Sequence, residues 1–259
     1  MCLILLALDS HPDYSLIVAA NRDEFYERPT APAAFWPDAP SILAGRDLLA
    51  GGTWLGIDRG GRFAAVTNFR QGQRESAAPR SRGHLVRDFL ASASDPGGYL
   101  LGVDSAAAQY NGFNLLVGDR SRLCYFSNRE GAPRVLPPGV YGLSNHLLDT
   151  AWPKVASGKS GLLALVRKGE AELVEALLEL LADRGPAPDN LLPATGIGGD
   201  WERLLSAAFI ASADYGTRSS TVVLIGHEGN VTFVEQGFMR GGTPTERRRF
   251  EFQVSKTGA

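Results

Sequence analysis

Cys2 is the residue of this chain whose type and position carry the most chemistry. Cysteine is small enough for methionine aminopeptidases to accept it behind an initiator methionine. Removal of Met1 would leave one residue bearing both a thiol and a free α-amine. An α-amine with an ordinary pKa of about 7.7–8.0 is partly neutral at pH 7 and acts as a general base. A thiol with an ordinary pKa of about 8.5 supplies a small but strongly nucleophilic thiolate fraction. The plainer alternative is an inert cysteine at a strand start, since free cysteines are among the most buried residues.

Asn21-Arg22-Asp23-Glu24 follows directly on an apolar run that ends at Ala20. Four polar residues at a strand end either project into a pocket or form a solvated turn with local ion pairs. In the first case Arg22 lies beside the thiol and lowers its pKa, and Asp23 orients the arginine or the ammonium. Gly51-Gly52-Thr53-Trp54-Leu55-Gly56 enters another strand, where glycines serve close backbone approach. Cys124, inside an apolar run, reads as core. Gly158-Lys159-Ser160 resembles the end of a phosphate-binding loop, but Pro153 stands where its first glycine belongs. His11, His84, His146 and His227 are far apart and form no zinc-ligand pair. Arg247-Arg248-Arg249, flanked by Glu246 and Glu251 and interleaved with Phe250 and Phe252, suits an exposed terminal strand.

The elements that must position these residues are legible as apolar runs broken by turn formers. Runs at 3–8 and 14–20 flank Asp9-Ser10-His11-Pro12-Asp13 and predict a hairpin. Both are apolar nearly throughout, which predicts central strands covered on both faces. Further hairpins are predicted for 53–58 with 62–68, 112–118 with 122–127, and 219–225 with 230–236. Helical spacing appears at 84–94, 161–168 and 170–183. In the last of these, Leu173, Val174, Leu177, Leu178, Leu180 and Leu181 form a stripe opposite Glu172, Glu175 and Glu179. Early and late hairpins around a helical middle predict an α+β layered sandwich.

Composition sets the outer limits. The 259 residues are 44% hydrophobic and 21% charged, enough for a large core and incompatible with overall disorder. A net charge of -2 supplies no global positive field for nucleic acid. Residues 3–8 are too short and wrongly flanked for a signal peptide, and no run reaches the roughly 18 apolar residues of a membrane span. Two cysteines are too few for a disulfide framework. The expectation is a single-domain cytoplasmic protein whose partner is a small molecule.

Taken together, several motifs carry a resemblance. They are Met1-Cys2, Asn21-Arg22-Asp23-Glu24-Phe25-Tyr26, Gly51 to Gly56, Thr67-Asn68-Phe69, Gly112-Phe113-Asn114-Leu115, Tyr141-Gly142-Leu143-Ser144-Asn145 and Tyr215-Gly216-Thr217-Arg218. In this order, over nearly the whole chain, they resemble the NRDE family, also called the transport and Golgi organisation protein 2 homologue family. The resemblance implies one NRDE-type domain over 1–259 with an N-terminal nucleophile hydrolase-like fold. That fold is a four-layer αββα sandwich of two antiparallel sheets with helices outside.

More distantly the chain resembles choloylglycine hydrolases and penicillin V acylases, in which an N-terminal cysteine cleaves an amide. Their arginine and aspartate look similar to Arg22 and Asp23, although those lie three residues apart and these are adjacent, so the roles are open to permutation. Asn68 and Asn145 stand in contexts similar to their site asparagines, which makes Asn68 a candidate oxyanion donor. Arg218 is favoured over Arg203 as the distal arginine. Two functions are implied. One is hydrolysis of a linear amide in a small, partly apolar molecule by Cys2, without any required cofactor. The other is non-catalytic carriage of haem or of a lipid or acyl-CoA ligand, which Phe25, Tyr26, Trp36 and Trp54 could serve, although core packing is the commoner role of such aromatics.

Overall fold

The computed structural model describes residues 2–72 and 80–254. Met1, whose removal the amine chemistry requires, lies outside them. In chain order the elements begin with β1 (Cys2–Leu8), β2 (Tyr14–Phe25), β3 (Thr30–Trp36), β4 (Ala39–Asp47), β5 (Leu55–Asp58) and β6 (Phe63–Asn68). Helices α1 (Gly83–Ala91) and α2 (Pro96–Ser105) come next, then β7 (Phe113–Gly118), β8 (Leu123–Ser127), β9 (Arg134–Val135) and β10 (Gly139–Leu143). Helices α3 (Pro153–Leu165), α4 (Glu170–Leu181) and α5 (Gly199–Leu204) precede β11 (Tyr215–Gly226), β12 (Asn230–Met239) and β13 (Thr243–Gln253). None of the helices described is long and apolar enough to cross a membrane.

The described residues fall into two compact units, one built from 2–27, 70–72 and 138–251, the other from 28–69, 80–137 and 252–254. The first holds a six-stranded sheet in the order β10-β1-β2-β11-β12-β13. Its two opening strands pair antiparallel as the apolar runs predict, with Cys2 opposite Arg22 and Leu8 opposite Leu16. Every residue of β1 is buried, which explains why the run is apolar without alternation. Leu3, Leu5, Ala7, Ile17 and Ala19 pack against Val155 and Leu162 of α3 and Leu173, Val174, Leu177 and Leu181 of α4. Each large aliphatic side chain so buried contributes about 1.5–3 kcal/mol. Gly158 lets α3 approach β1 closely, because a Cβ there would stand 2.8 Å from Leu5 Cδ1.

The second unit carries a seven-stranded sheet in the order β3-β4-β5-β6-β7-β8-β9. One face packs on α1 and α2 through Leu85, Val86, Phe89, Leu100 and Val103, with Cys124 in the same cluster. Trp36 belongs to this core, with the partly buried Trp54 packed against it, and Trp36 Nε1 donates to the Ala44 carbonyl at 3.0 Å.

Two sequence expectations need correction. The polar run Asn21 to Glu24 is not a strand end, for β2 continues through it to Phe25. The Asn21 amide is accommodated there by donating to the Leu181 and Ala208 carbonyls, both at 2.8 Å, while its Oδ1 accepts from Ser220 Oγ. Helix α3 begins at Pro153, eight residues before the helix predicted from 161. Proline suits that first position because its missing N–H would have no partner in the helix. Strands β3 and β4 and helix α2 were not predicted at all. The edge strand β13, exposed along most of its length, agrees with the reading of its arginine run.

Candidate active site

Cys2 heads β1, 9% exposed, with Arg22 directly across the strand pair. The Asp23 backbone N–H donates to the Cys2 sulfur. On the other side of β1, β10 pairs Leu143 with Ile4, so the chain running on through Ser144 and Asn145 comes level with Cys2. Ser144 Oγ donates to the Cys2 carbonyl at 2.9 Å and also lies 3.2 Å from Asn145 Oδ1. Asn145 is fully buried, and its carbonyl accepts from the Arg70 N–H at 2.7 Å.

The Asp23 side chain, 2% exposed, accepts from Thr217 Oγ1 at 2.8 Å. Burial raises its carboxyl above the ordinary value, against the pull of Lys154, the Thr217 hydrogen bond and Arg22. Arg22 lies 3.9 Å from Glu24, and its Nη1 is buried with no hydrogen-bond partner among the described residues. Arg218 is the residue at which β11 slips register against β2, between the pairs Thr217–Asp23 and Ser219–Arg22. A bulge of this kind re-aims a side chain. Arg218 Nη1 donates to the Phe25 carbonyl at 2.9 Å, and its guanidinium sits 5.8 Å from the Tyr26 ring. Burial and the neighbouring Arg22 lower its pKa.

Arg22 was expected to depress the Cys2 thiol. The net effect runs the other way, because burial raises the thiol by more than the nearby positive charges lower it. Cys2 is therefore a protonated thiol at rest.

Three further groups join this cluster. Lys154, in the first turn of α3, is 4% exposed, and its Nζ has no hydrogen-bond partner among the described residues. Burial pushes its amine down to about 8, helped by Arg70 and opposed by Asp23 and Cys2. Arg70 Nη1 donates to Glu202 Oε2 at 2.6 Å, and its guanidinium lies 4.5 Å from the Trp152 ring. Tyr215, buried beside Phe25 and Trp201, is raised well above a phenol's ordinary pKa by burial and then by Asp23. The only sequence signals are the position of Lys154 behind Trp152-Pro153 and that of Arg70 just after Thr67-Asn68-Phe69.

Cys2, Arg22, Asp23, Asn145 and Arg218 thus all belong to the first unit. Asn68 belongs to the second, at the end of β6 opposite Phe113. Arg203 is half exposed and forms a fork with Asp189, at 2.9 and 2.5 Å, which distinguishes it from Arg218 beside Arg22. Trp36 is a core residue and Trp54 packs partly buried against the same core, whereas Phe25 is 49% exposed. Among the described residues no cluster of His, Cys, Asp or Glu is arranged to hold a metal ion.

Comparison with known proteins bears on the family and the fold. A sequence profile described as Transport and Golgi organisation 2 matches residues 1–240. The chain is 42% identical to the Transport and Golgi organization protein 2 homolog of Bos taurus, covering 98% of this chain and 99% of that protein. Identity to the Homo sapiens homolog is 41% over 98% and 99% of the two chains. Among solved structures, the Caenorhabditis elegans ortholog of N-acylethanolamine-hydrolyzing acid amidase superposes with a TM-score of 0.51 at 14% identity, covering 86% of this chain and 92% of that one. The C2A mutant of conjugated bile acid hydrolase from Clostridium perfringens also gives 0.51, at 9% identity over 100% and 94%. At such identities the likeness speaks to the fold, which is α+β with two antiparallel sheets, of the N-terminal nucleophile hydrolase type. The chain belongs to the Transport and Golgi organisation 2 family, the family also known by its NRDE motif.

Proposed function

We propose that the protein is an N-terminal-cysteine hydrolase of a linear amide in a small, partly apolar molecule. The observation that carries this reading is the setting of Cys2, in register with Arg22, hydrogen-bonded at sulfur by the Asp23 N–H, and level with Asn145. The names of the two structural neighbours, an acid amidase and a conjugated bile acid hydrolase, are those of hydrolases.

With Met1 removed, the α-amine of Cys2 takes the thiol proton and the thiolate attacks the amide carbonyl. The resulting oxyanion is stabilised by hydrogen-bond donors, with the Asn145 amide as candidate. Collapse breaks the C–N bond, the ammonium returns its proton to the leaving amine, and a thioester remains. Water then attacks the thioester with the amine as base, releasing the acid and restoring the thiol. Arg22, Asp23 and Arg218 orient the amine and the substrate. No cofactor takes part, and a cytoplasmic, thiol-reducing setting belongs to this reading.

Intact-mass spectrometry of natively expressed protein, followed by a screen of acyl amides with wild type and Cys2→Ala, tests it. Loss of one methionine mass and turnover abolished by Cys2→Ala are expected. Quantitative retention of Met1, or turnover unaffected by the substitution, overturns the mechanism.

A second reading, carriage of haem or of a lipid or acyl-CoA ligand, draws on the exposed aromatics Phe25 and Trp201, whose rings lie 6.5 Å apart beside Tyr215. Saturable haem or acyl-CoA binding that survives Cys2→Ala would favour it, and the absence of saturable binding would end it.

A further inference from the structure

Lys154 is a buried cation that the hydrolytic steps above leave unused. It lies one turn before Gly158, the residue seated on Leu5 of β1. Its Nζ is shielded from solvent, without a hydrogen-bond partner among the described residues, and within electrostatic range of Cys2, Asp23 and Arg70. An ammonium buried in this way is costly unless an anion compensates it. Asp23 already accepts from Thr217, and Arg70 is paired with Glu202. Asp23, when ionised, is one anion within its range, and Cys2 is a second neighbour able to become one.

We propose that the Lys154 ammonium is the counter-charge of the Cys2 thiolate, stabilising the nucleophile's reactive form in a site where burial otherwise disfavours it. The proposal rests on the reading of Cys2 as nucleophile. It adds a residue outside the arginine, aspartate and asparagine set. The described groups facing Cys2 are Arg22 and Asp23 of β2, Tyr215 of β11 and Lys154 of α3. Those facing Lys154 are Asp23, Arg70 and Cys2. Once the thiol proton has passed to the α-amine or to water, two anions, Cys2 and Asp23, lie among Lys154, Arg22 and the terminal ammonium. At pH 7 a lysine that titrates near 8 is mostly protonated and able to serve.

The test is alkylation of the folded protein by iodoacetamide, followed at Cys2 by peptide mass spectrometry from pH 6 to 10. Buried Cys124 serves as the internal control. The thiolate displaces iodide, forming a C–S bond as the C–I bond breaks, so no knowledge of the substrate is needed. In Lys154→Met and Lys154→Gln the Cys2 rate at pH 7.5 is expected to fall about 10-fold or more and its pH midpoint to rise by about one unit or more. Lys154→Arg, which keeps the charge, should restore the rate to within about 3-fold of wild type. Equal rates and midpoints in folded variants overturn the proposal, as does a wild-type Cys2 that resists alkylation throughout.

If the lysine variants do not fold, the reciprocal measurement decides. By linkage, Cys2→Asp, which places a fixed carboxylate where the thiolate forms, must raise the pH at which Lys154 titrates relative to Cys2→Ala, as followed by side-chain NMR, and equal midpoints overturn the proposal. Because turnover is not the readout, a Lys154-dependent thiol without amidase activity would refute the hydrolase reading alone.

Discussion

Glu202→Gln removes one charge from the most deeply buried ion pair among those described, and its cost can be worked from the geometry. Arg70 Nη1 and Glu202 Oε2 are 2.6 Å apart, with side chains 2% and 6% exposed. Glu202 Oε1 also accepts from the Thr195 N–H at 2.8 Å and from Thr195 Oγ1 at 2.5 Å. Glutamine can keep the Thr195 bonds only by turning its NH2 toward the Arg70 guanidinium, donor against donor. Arg70 then stays buried without its carboxylate partner, as a cation that already repels Lys154. The Trp152 ring at 4.5 Å offers it roughly 0.5–2 kcal/mol. Removing one member of a buried pair costs about 3–5 kcal/mol. In a chain of this length that is a fall in Tm of about 6–20 °C. Urea unfolding followed by tryptophan fluorescence and circular dichroism reads the change directly. The double variant Arg70→Met, Glu202→Leu should recover most of the loss, since it leaves no charge behind. A Glu202→Gln protein within about 1 kcal/mol of wild type, or a double variant no more stable than the single one, would refute the reasoning.

Three further outcomes are expected. Lys154 binds its proton less tightly folded, at about 8, than unfolded, at about 10.5, so this group makes stability rise with pH between those values by about 3 kcal/mol. Urea midpoints at pH 7.5 and 10 should show that rise in wild type relative to Lys154→Met, and parallel pH dependences would exclude it. Asp23 is the opposite case, because burial raises its folded pKa. The folded state holds the proton more tightly, and the resulting stability, full below the ordinary carboxylate range, is lost as pH rises through the folded value. Wild type should therefore lose stability relative to Asp23→Asn as pH rises from about 4, and a flat difference would contradict the burial effect. At Gly216 a Cβ would meet the Tyr26 hydroxyl and stand 2.6 Å from the Ile210 carbonyl oxygen. Gly216→Ala should cost about 2 kcal/mol or more in urea unfolding, and a neutral substitution would show that the β11 backbone yields there.

The hairpins were legible because each is a local pattern: apolar runs such as 3–8 and 14–20 joined by turn formers fold back on themselves. Asn21 to Glu24 misled for a related reason. Polar residues inside a strand look like its end unless their distant partners are known, and the Asn21 amide is bonded by carbonyls about 160 and 187 positions away. Helix α3 was truncated in the sequence reading because Ala156-Ser157-Gly158-Lys159-Ser160-Gly161 contains weak helix formers, and no side chain caps its start. Packing overrides propensity here, Gly158 being favoured by closeness to Leu5 rather than by helix preference. Lys154 lay in the segment that was missed. Arg70 was hidden differently, since its partner Glu202 is 132 positions away.

The same limit governs the thiol. Sequence alone places Arg22 near Cys2 and so suggests a thiolate, because adjacent charge is a local fact and burial is a global one. Once both are counted, burial prevails and the resting thiol is protonated. A protonated resting thiol is a poor nucleophile and a poor target for oxidation. Making it reactive requires a base to take the proton and a cation to hold the charge that remains. On the proposed reading the α-amine supplies the first and Lys154 the second. The amine's position follows from the second residue of the sequence, whereas the lysine's depends on a helix start that only packing fixes.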